Sequence, residues 1–235
     1  MSDVTANSTR ERIIAAAADL LAVGGVEAVS TRAVAAAANV QAPALYRLFG
    51  DKQGLLDAVT AHGFEQYLAQ KKSLAPTDDP VEDLRRGWDG HVEFGLTHPA
   101  FYVLMYGVPQ PERRPATAAE TNRLLRAVLE RIAVAGRLRM PADAAAGLIH
   151  ATNTGVTLSL IATPSGDRDP GLSARTREIV LAAVTAVTAD AEQTPEASLA
   201  TRALSLEATL TDQAHPLSAA ETALLREWLL RIADR

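Results

Sequence analysis

Residues 30–50 read STRAVAAAANVQAPALYRLFG. Ser30 is a good N-cap for the run TRAVAAAA, which is made almost entirely of helix formers. Asn39 ends that run, because asparagine tolerates the left-handed backbone that closes a helix. A second short helix follows from about Ala42 to Leu48, with Pro43 in its first turn, where proline is welcome. Gly50 stops it. Two short helices joined by the three residues Asn39-Val40-Gln41 predict a helix-turn-helix. Val40 is apolar because the middle of such a turn packs between the helices. Leu45 and Phe49 point inward by spacing. Gln41, Ala42, Ala44, Tyr46 and Arg47 are left for the outward face. In this motif the second helix puts its N-terminal residues into the major groove of DNA.

The neighbouring sequence supports the same reading. In TRERIIAAAADLLAV (residues 9–23), Ile13, Ala17, Leu20 and Leu21 fall on one helical face, and Gly24-Gly25 ends the helix. Asp51 caps a fourth helix that begins with Lys52. A lysine at a helix N-terminus is disfavoured by the dipole unless an anion approaches. Beyond this the helices lengthen: about 80–97, a brief apolar helix in AFYVLMYG, 118–135, 141–163 and 173–189, then two more. The last of these opens with a capping box, Ser218-Ala-Ala-Glu221, and carries Leu224, Leu225, Trp228, Leu229 and Ile232 as an apolar stripe. Residues 107–117 form a proline-rich loop. No alternating strand pattern occurs. The expected fold is all-α: a disordered tail over residues 1–8, a three-helix helix-turn-helix domain over 9–56, and a larger helical bundle over 57–235.

Composition limits the functions available. The chain has 235 residues, enough to bury a core without staples, and alanine supplies 46 of them. It has no cysteine, which excludes disulfides, zinc–thiolate sites and a cysteine nucleophile. Net charge is −5, so no strongly basic coat exists. Residues 1–72 hold seven basic and seven acidic residues, whereas the remainder hold 16 and 21. Any DNA binding therefore falls to a few cations placed in the first segment. Arg10 and Arg12 either reach the minor groove or phosphates, or stand solvated. No apolar run is long enough for a membrane span, and the N-terminus is not a signal peptide. A cytoplasmic location is expected.

The stretch TRERIIAAAADLLAVGGVEAVSTRAVAAAANVQAPALYRLFGDKQGLLDAV resembles the N-terminal domain of TetR-family transcriptional regulators. The resemblance rests on Ile14, Ala17, Gly25, Ser30-Thr31, Val34-Ala35, Ala38-Asn39-Val40, Leu45-Tyr46, Phe49, Lys52 and Leu55-Leu56. Asn39 stands where the family usually has glycine, and Val34 where isoleucine is usual. The resemblance implies a homodimer that binds a palindromic double-stranded operator, and repression is the expected sign of regulation because blocking a promoter needs only occupancy, with release by a small-molecule effector in the bundle. It also implies that Tyr46, Lys52, Thr31 and Arg32 contact phosphates, while Gln41, Ala42, Ala44 and Arg47 face the groove. Arg47 is the strong guanine reader of that set, and the alanines could touch only thymine methyls.

Seven of the ten aromatics lie within residues 64–106. Trp88, His91, Phe94, Phe101, Tyr102, Met105 and Tyr106 either line an apolar effector cavity or fill a core. Asn153, Thr154 and Thr157 are the candidate polar anchors for an effector. Small and apolar faces on the helices 141–163 (Ala146, Gly147, Ala151, Leu158, Ile161) and 173–189 (Ile179, Val180, Ala183, Val184, Val187) either form the four-helix dimer contact that the resemblance implies or bury within one subunit. No HxxxH or HExxH pair, GxSxG, Walker loop or GxGxxG occurs, so no metal, cofactor or catalytic residue is expected. The competing function class is an all-α enzyme or small-molecule carrier, which would lack DNA affinity.

Overall fold

Local sequence chemistry sets the N-terminal helices. A computed structural model describes residues 2–73, 75–107, 116–186, 195–212 and 214–233, with side chains described except at 2–7, 116–118, 195–198 and 212. Helix α1 spans Ser2–Ala28 and bends at Gly25, whose φ of 67° suits glycine. Helical backbone thus runs back through the expected tail, since neither proline nor glycine interrupts the chain before Gly24. The next three helices are α2 (Thr31–Ala37), α3 (Ala42–Phe49) and α4 (Lys52–Lys72). The Ser30 hydroxyl accepts from the Ala33 N–H at 3.1 Å, and the Asp51 carboxylate accepts from the Gly54 N–H at 2.8 Å. Both are N-caps.

The remaining described helices are α5 (Pro80–Thr97), α6 (Pro99–Tyr102), α7 (Ala116–Val134), α8 (Ala142–Ala162), α9 (Leu172–Val184), α10 (Pro195–Asp212) and α11 (Ala219–Ala233). A π-helical turn, Val103–Gly107, continues α6. The chain divides into two compact units. Unit one holds Met1–Leu74, Glu93–Thr121 and Leu158–Pro164; unit two holds Ala75–Val92, Asn122–Thr157 and Ser165–Arg235.

Unit one contains two apolar clusters. The first is the helix-turn-helix core, in which Ile13, Ala17, Leu21, Val34, Leu45, Leu55 and Val59 are completely buried. Val40, Leu48 and Phe49 pack on its edge, and Phe101 and Leu104 join it. The second joins Tyr67, Phe94 and Tyr102 to Met105, Tyr106, Leu158 and Ile161. The short segment 99–107 therefore supplies side chains to both.

Unit two relies far more on ion pairs. Arg85 bridges Glu82 and Glu178, Arg131 holds Asp83, Arg137 holds Asp79, and Arg226 holds Glu207. The capping box forms as read, with the Ser218 N–H donating to Glu221 at 2.9 Å. Helix α9 stops at Val184, five residues short of the sequence reading. Thr185 turns extended and pairs with Leu138 in an isolated antiparallel bridge, where the Ala186 N–H donates to the Arg137 carbonyl at 2.8 Å. The apolar stripe of α11 is split: Leu229 is buried and Leu225 half-buried, while Leu224, Trp228 and Ile232 are exposed.

Candidate nucleic-acid interface

The turn before α3 is a Schellman motif. Asn39 takes φ 50°, its N–H donates to the Ala36 carbonyl at 3.2 Å, and the Val40 N–H reaches the Ala35 carbonyl at 2.9 Å. This closes α2 and swings the chain directly into α3. The other end of α3 is held by close approach. A Cβ on Gly54 would lie 2.0 Å from the Phe49 carbonyl oxygen, so the first turn of α4 can sit there only as glycine. Between these two constraints Leu45 is the fully buried anchor of α3.

The opposite side of α3 faces outward. Gln41, Ala42, Tyr46 and Arg47 are exposed, with Tyr46 at 50%. Arg32 and Lys52 are also exposed, whereas Thr31 and Ala44 are half-buried. Ala44 leans toward the core because it lies one residue before Leu45. Pro43 is exposed beside Ala42, a position the sequence reading does not include; its four-residue spacing from Arg47 is the signal for it. Among the described residues, Arg32, Arg47 and Lys52 make no ion pair or side-chain hydrogen bond. Arg10 and Arg12 behave differently. Arg12 Nε donates to the Ala38 carbonyl at 3.0 Å, and Arg10 lies 5.6 Å from the centre of the Phe49 ring.

The expected effector residues fall into separate groups. In unit one, Phe94 and Tyr102 are buried with half-buried Met105 and Tyr106 packed against them, and the Tyr102 and Tyr106 rings stand 4.8 Å apart. Phe101 instead belongs to the helix-turn-helix core and would crowd a Cβ on Gly63 at 2.8 Å. Lys71 sits 5.0 Å over the Tyr67 ring, and burial lowers its amine to about 8. In unit two, Trp88 donates to Ser173 at 3.1 Å. The side-chain amide of buried Asn153 makes only long bonds of 3.4 Å, to the Trp88 carbonyl and from the Thr157 hydroxyl, which donates at 2.8 Å to the Asn153 backbone carbonyl. Thr157 and His91 are buried, and the buried Thr154 hydroxyl has no hydrogen-bond partner. A cleft of about 470 Å³ in unit two is lined by none of the ten; Arg126, Arg131, Glu130, Glu207 and Arg226 border it.

The expected dimer faces divide similarly. Gly147, Ala151, Ile179 and Ala183 are exposed. Val180 and Val184 are buried within unit two, and Leu158 and Ile161 join the aromatic cluster of unit one. Val187 lies outside the described residues.

Residues 13–59, which contain this whole reading segment, match the family model described as bacterial regulatory proteins, tetR family. A TetR-family transcriptional regulator, PfmR, from Thermus thermophilus is 25% identical. Its alignment covers 73% of this chain and 97% of that one, with a TM-score of 0.55. A bacterial regulatory protein of the tetR family from Rhodococcus is 24% identical, covering 75% and 96% at a TM-score of 0.57. The ketosteroid transcriptional regulator KstR2 of Mycobacterium tuberculosis is 19% identical, covering 75% and 95% at 0.53. No curated protein matches the chain in sequence. The match to the tetR-family model is confined to the helix-turn-helix domain, and the chain as a whole has a TetR-like fold. Among the described residues, no helix is long and apolar enough to cross a membrane, and no three acidic or histidine side chains group as a metal site.

Proposed function

We propose that the protein is a ligand-responsive repressor that binds a palindromic operator as a homodimer and is released by a small molecule. The observation that carries this is the outward face of α3: Gln41, Ala42, Tyr46 and Arg47 stand on a buried anchor, flanked by unpaired Arg32 and Lys52. In this reading Arg47 reads a base edge, Gln41, Ala42 and Ala44 line the groove side, and Tyr46, Lys52, Thr31 and Arg32 hold phosphates. In this reading the protein works in the cytoplasm.

Dimerisation through α8 and α9 is supported by exposed, uncharged positions: Ala144, Gly147, Leu148, Ala151 and Gly155 on one helix, and Ile179, Ala182 and Ala183 on the other. The first five recur at helical spacing along one stripe. The effector is an apolar molecule with a neutral hydrogen-bonding group, engaging His91, Asn153, Thr154 and Thr157. The Thr154 hydroxyl without a partner and the long bonds of Asn153 support this, since a ligand could satisfy both. Four residues beyond Asn153, α8 passes Thr157 and enters the aromatic cluster with Leu158 and Ile161. The segment 99–107 shares that cluster and the helix-turn-helix core. In this reading effector binding changes the spacing of the two recognition helices.

The test is selection of bound fragments from random duplexes, followed by a search for small molecules that release them. The expected product is an inverted repeat whose half-sites lie about 34 Å apart. Enrichment of unrelated sequences, or a chain that stays monomeric at every concentration, would overturn the reading.

A further inference from the structure

The two arginines near the start of α1 bracket the reading segment. Arg12 Nε donates to the carbonyl of Ala38, the last residue before the turn, at 3.0 Å. Arg10 lies over the ring of Phe49, the last residue of α3, at 5.6 Å. Two residues apart on a helix, their side chains leave the axis about 200° from each other. One therefore reaches the beginning of the segment 38–49 and the other its end.

Each contact has its own physical basis. Ala38 is the C-cap of α2, and the carbonyls of a last helical turn lack intrahelical donors. A guanidinium there supplies both a donor and a favourable charge. Phe49 packs on the edge of the core, and a cation over an aromatic face is attracted to it. Arg32, Arg47 and Lys52, by contrast, make no such bonds among the described residues.

We propose that Arg12 is a positioning residue for DNA recognition: it fixes the turn that presents α3, and is not a phosphate contact. Arg10 secures the far end of the same segment. This rests on the DNA-binding reading above and adds a distinct role within it.

Two substitutions separate the roles. Arg12→Ala removes donor and charge together. Arg12→Gln removes the charge but keeps an N–H donor as many bonds from the Cα as Nε. Affinity is measured against salt concentration for the duplex enriched by selection. Arg12→Ala should weaken binding about five- to tenfold, the worth of one ordinary hydrogen bond at an exposed site, with the salt slope unchanged. Arg12→Gln should stay near the parent chain. If both variants lose affinity and the slope falls by about one, Arg12 is a phosphate contact and the proposal fails. It also fails if Arg12→Ala binds like the parent.

A second measurement needs no DNA. Hydrogen exchange at the Val40 amide, bonded to the Ala35 carbonyl at 2.9 Å, should quicken in Arg12→Ala and not in Arg12→Gln. Unchanged exchange in Arg12→Ala overturns the clamp. A parent chain that binds no duplex overturns the DNA-binding reading, and the exchange result still decides the clamp.

Discussion

The reading segment and unit two use the same residue type in opposite ways. In unit two, arginines are matched to carboxylates: Arg85 to Glu82 and Glu178, Arg131 to Asp83, Arg137 to Asp79, Arg226 to Glu207. Around α3 the pattern reverses. The fold there is fixed by Leu45, two N-caps, a Schellman turn and a glycine contact, and the two arginines that join it, Arg12 and Arg10, meet a carbonyl and a ring instead of carboxylates. Among the described residues, Arg32, Arg47 and Lys52 are left without a protein partner. A cation already paired with a carboxylate has little to offer a phosphate, because exposed pairs exchange one partner for another at small net gain. On the DNA-binding reading, an acidic chain would meet phosphates through a handful of charges kept free of its own carboxylates.

The sharpest way to break this contrast is to remove the apolar anchor. Leu45→Ala should cost about 2–5 kcal/mol of stability through the cavity it leaves and abolish DNA binding, as read by denaturant unfolding and mobility shift. A variant that binds normally would show that the outward face does not depend on that anchor. Next come the free cations. Arg47→Ala should cost about 1–3 kcal/mol on the selected duplex and far less on random DNA. Lys52→Ala should weaken both alike and lower the salt slope by about one. Equal loss of discrimination in the two would mean the roles are misassigned.

The turn gives a smaller effect. Asn39→Ala should cost about 1 kcal/mol, because alanine pays more for a left-handed backbone, whereas Asn39→Gly should lie within a few tenths. Unit two supplies the opposite control, in acid. Arg85, first, and Arg177 hold the Glu178 carboxyl at about 2 against its ordinary 4.5. The stabilisation from that pairing is complete above 4.5 and disappears as pH falls toward 2. Glu178→Gln should therefore flatten the acid side of the stability profile in this window. A steep profile retained in the variant would assign the acid sensitivity elsewhere.

Much of the reading segment is legible in the sequence because its signals are local. Ser30, Asn39, Pro43, Gly50 and Asp51 each act within a few residues, so cap and turn chemistry places α2, α3 and the start of α4. Elsewhere the deciding contacts are distant. The helix formers Ala186 and Ala189 favour continuing α9, yet the backbone bonds to Arg137 and Arg139 end it at Val184. Phe101 and Tyr102 are adjacent aromatics with no mark to say that one joins the helix-turn-helix core and the other the aromatic cluster. Arg10 and Arg12 look solvated in sequence because their partners, a ring and a carbonyl, lie 39 and 26 residues away.

The glycine at position 54 has a practical consequence for re-engineering. Grafting α3 alone from another regulator, as one would to redirect operator choice, leaves its final carbonyl facing whatever residue follows the next helix start. Only a donor that brings its own glycine, or accepts this one, can dock at that distance. The transplantable cassette is therefore 38–54, with both arginines of α1 retained in the host.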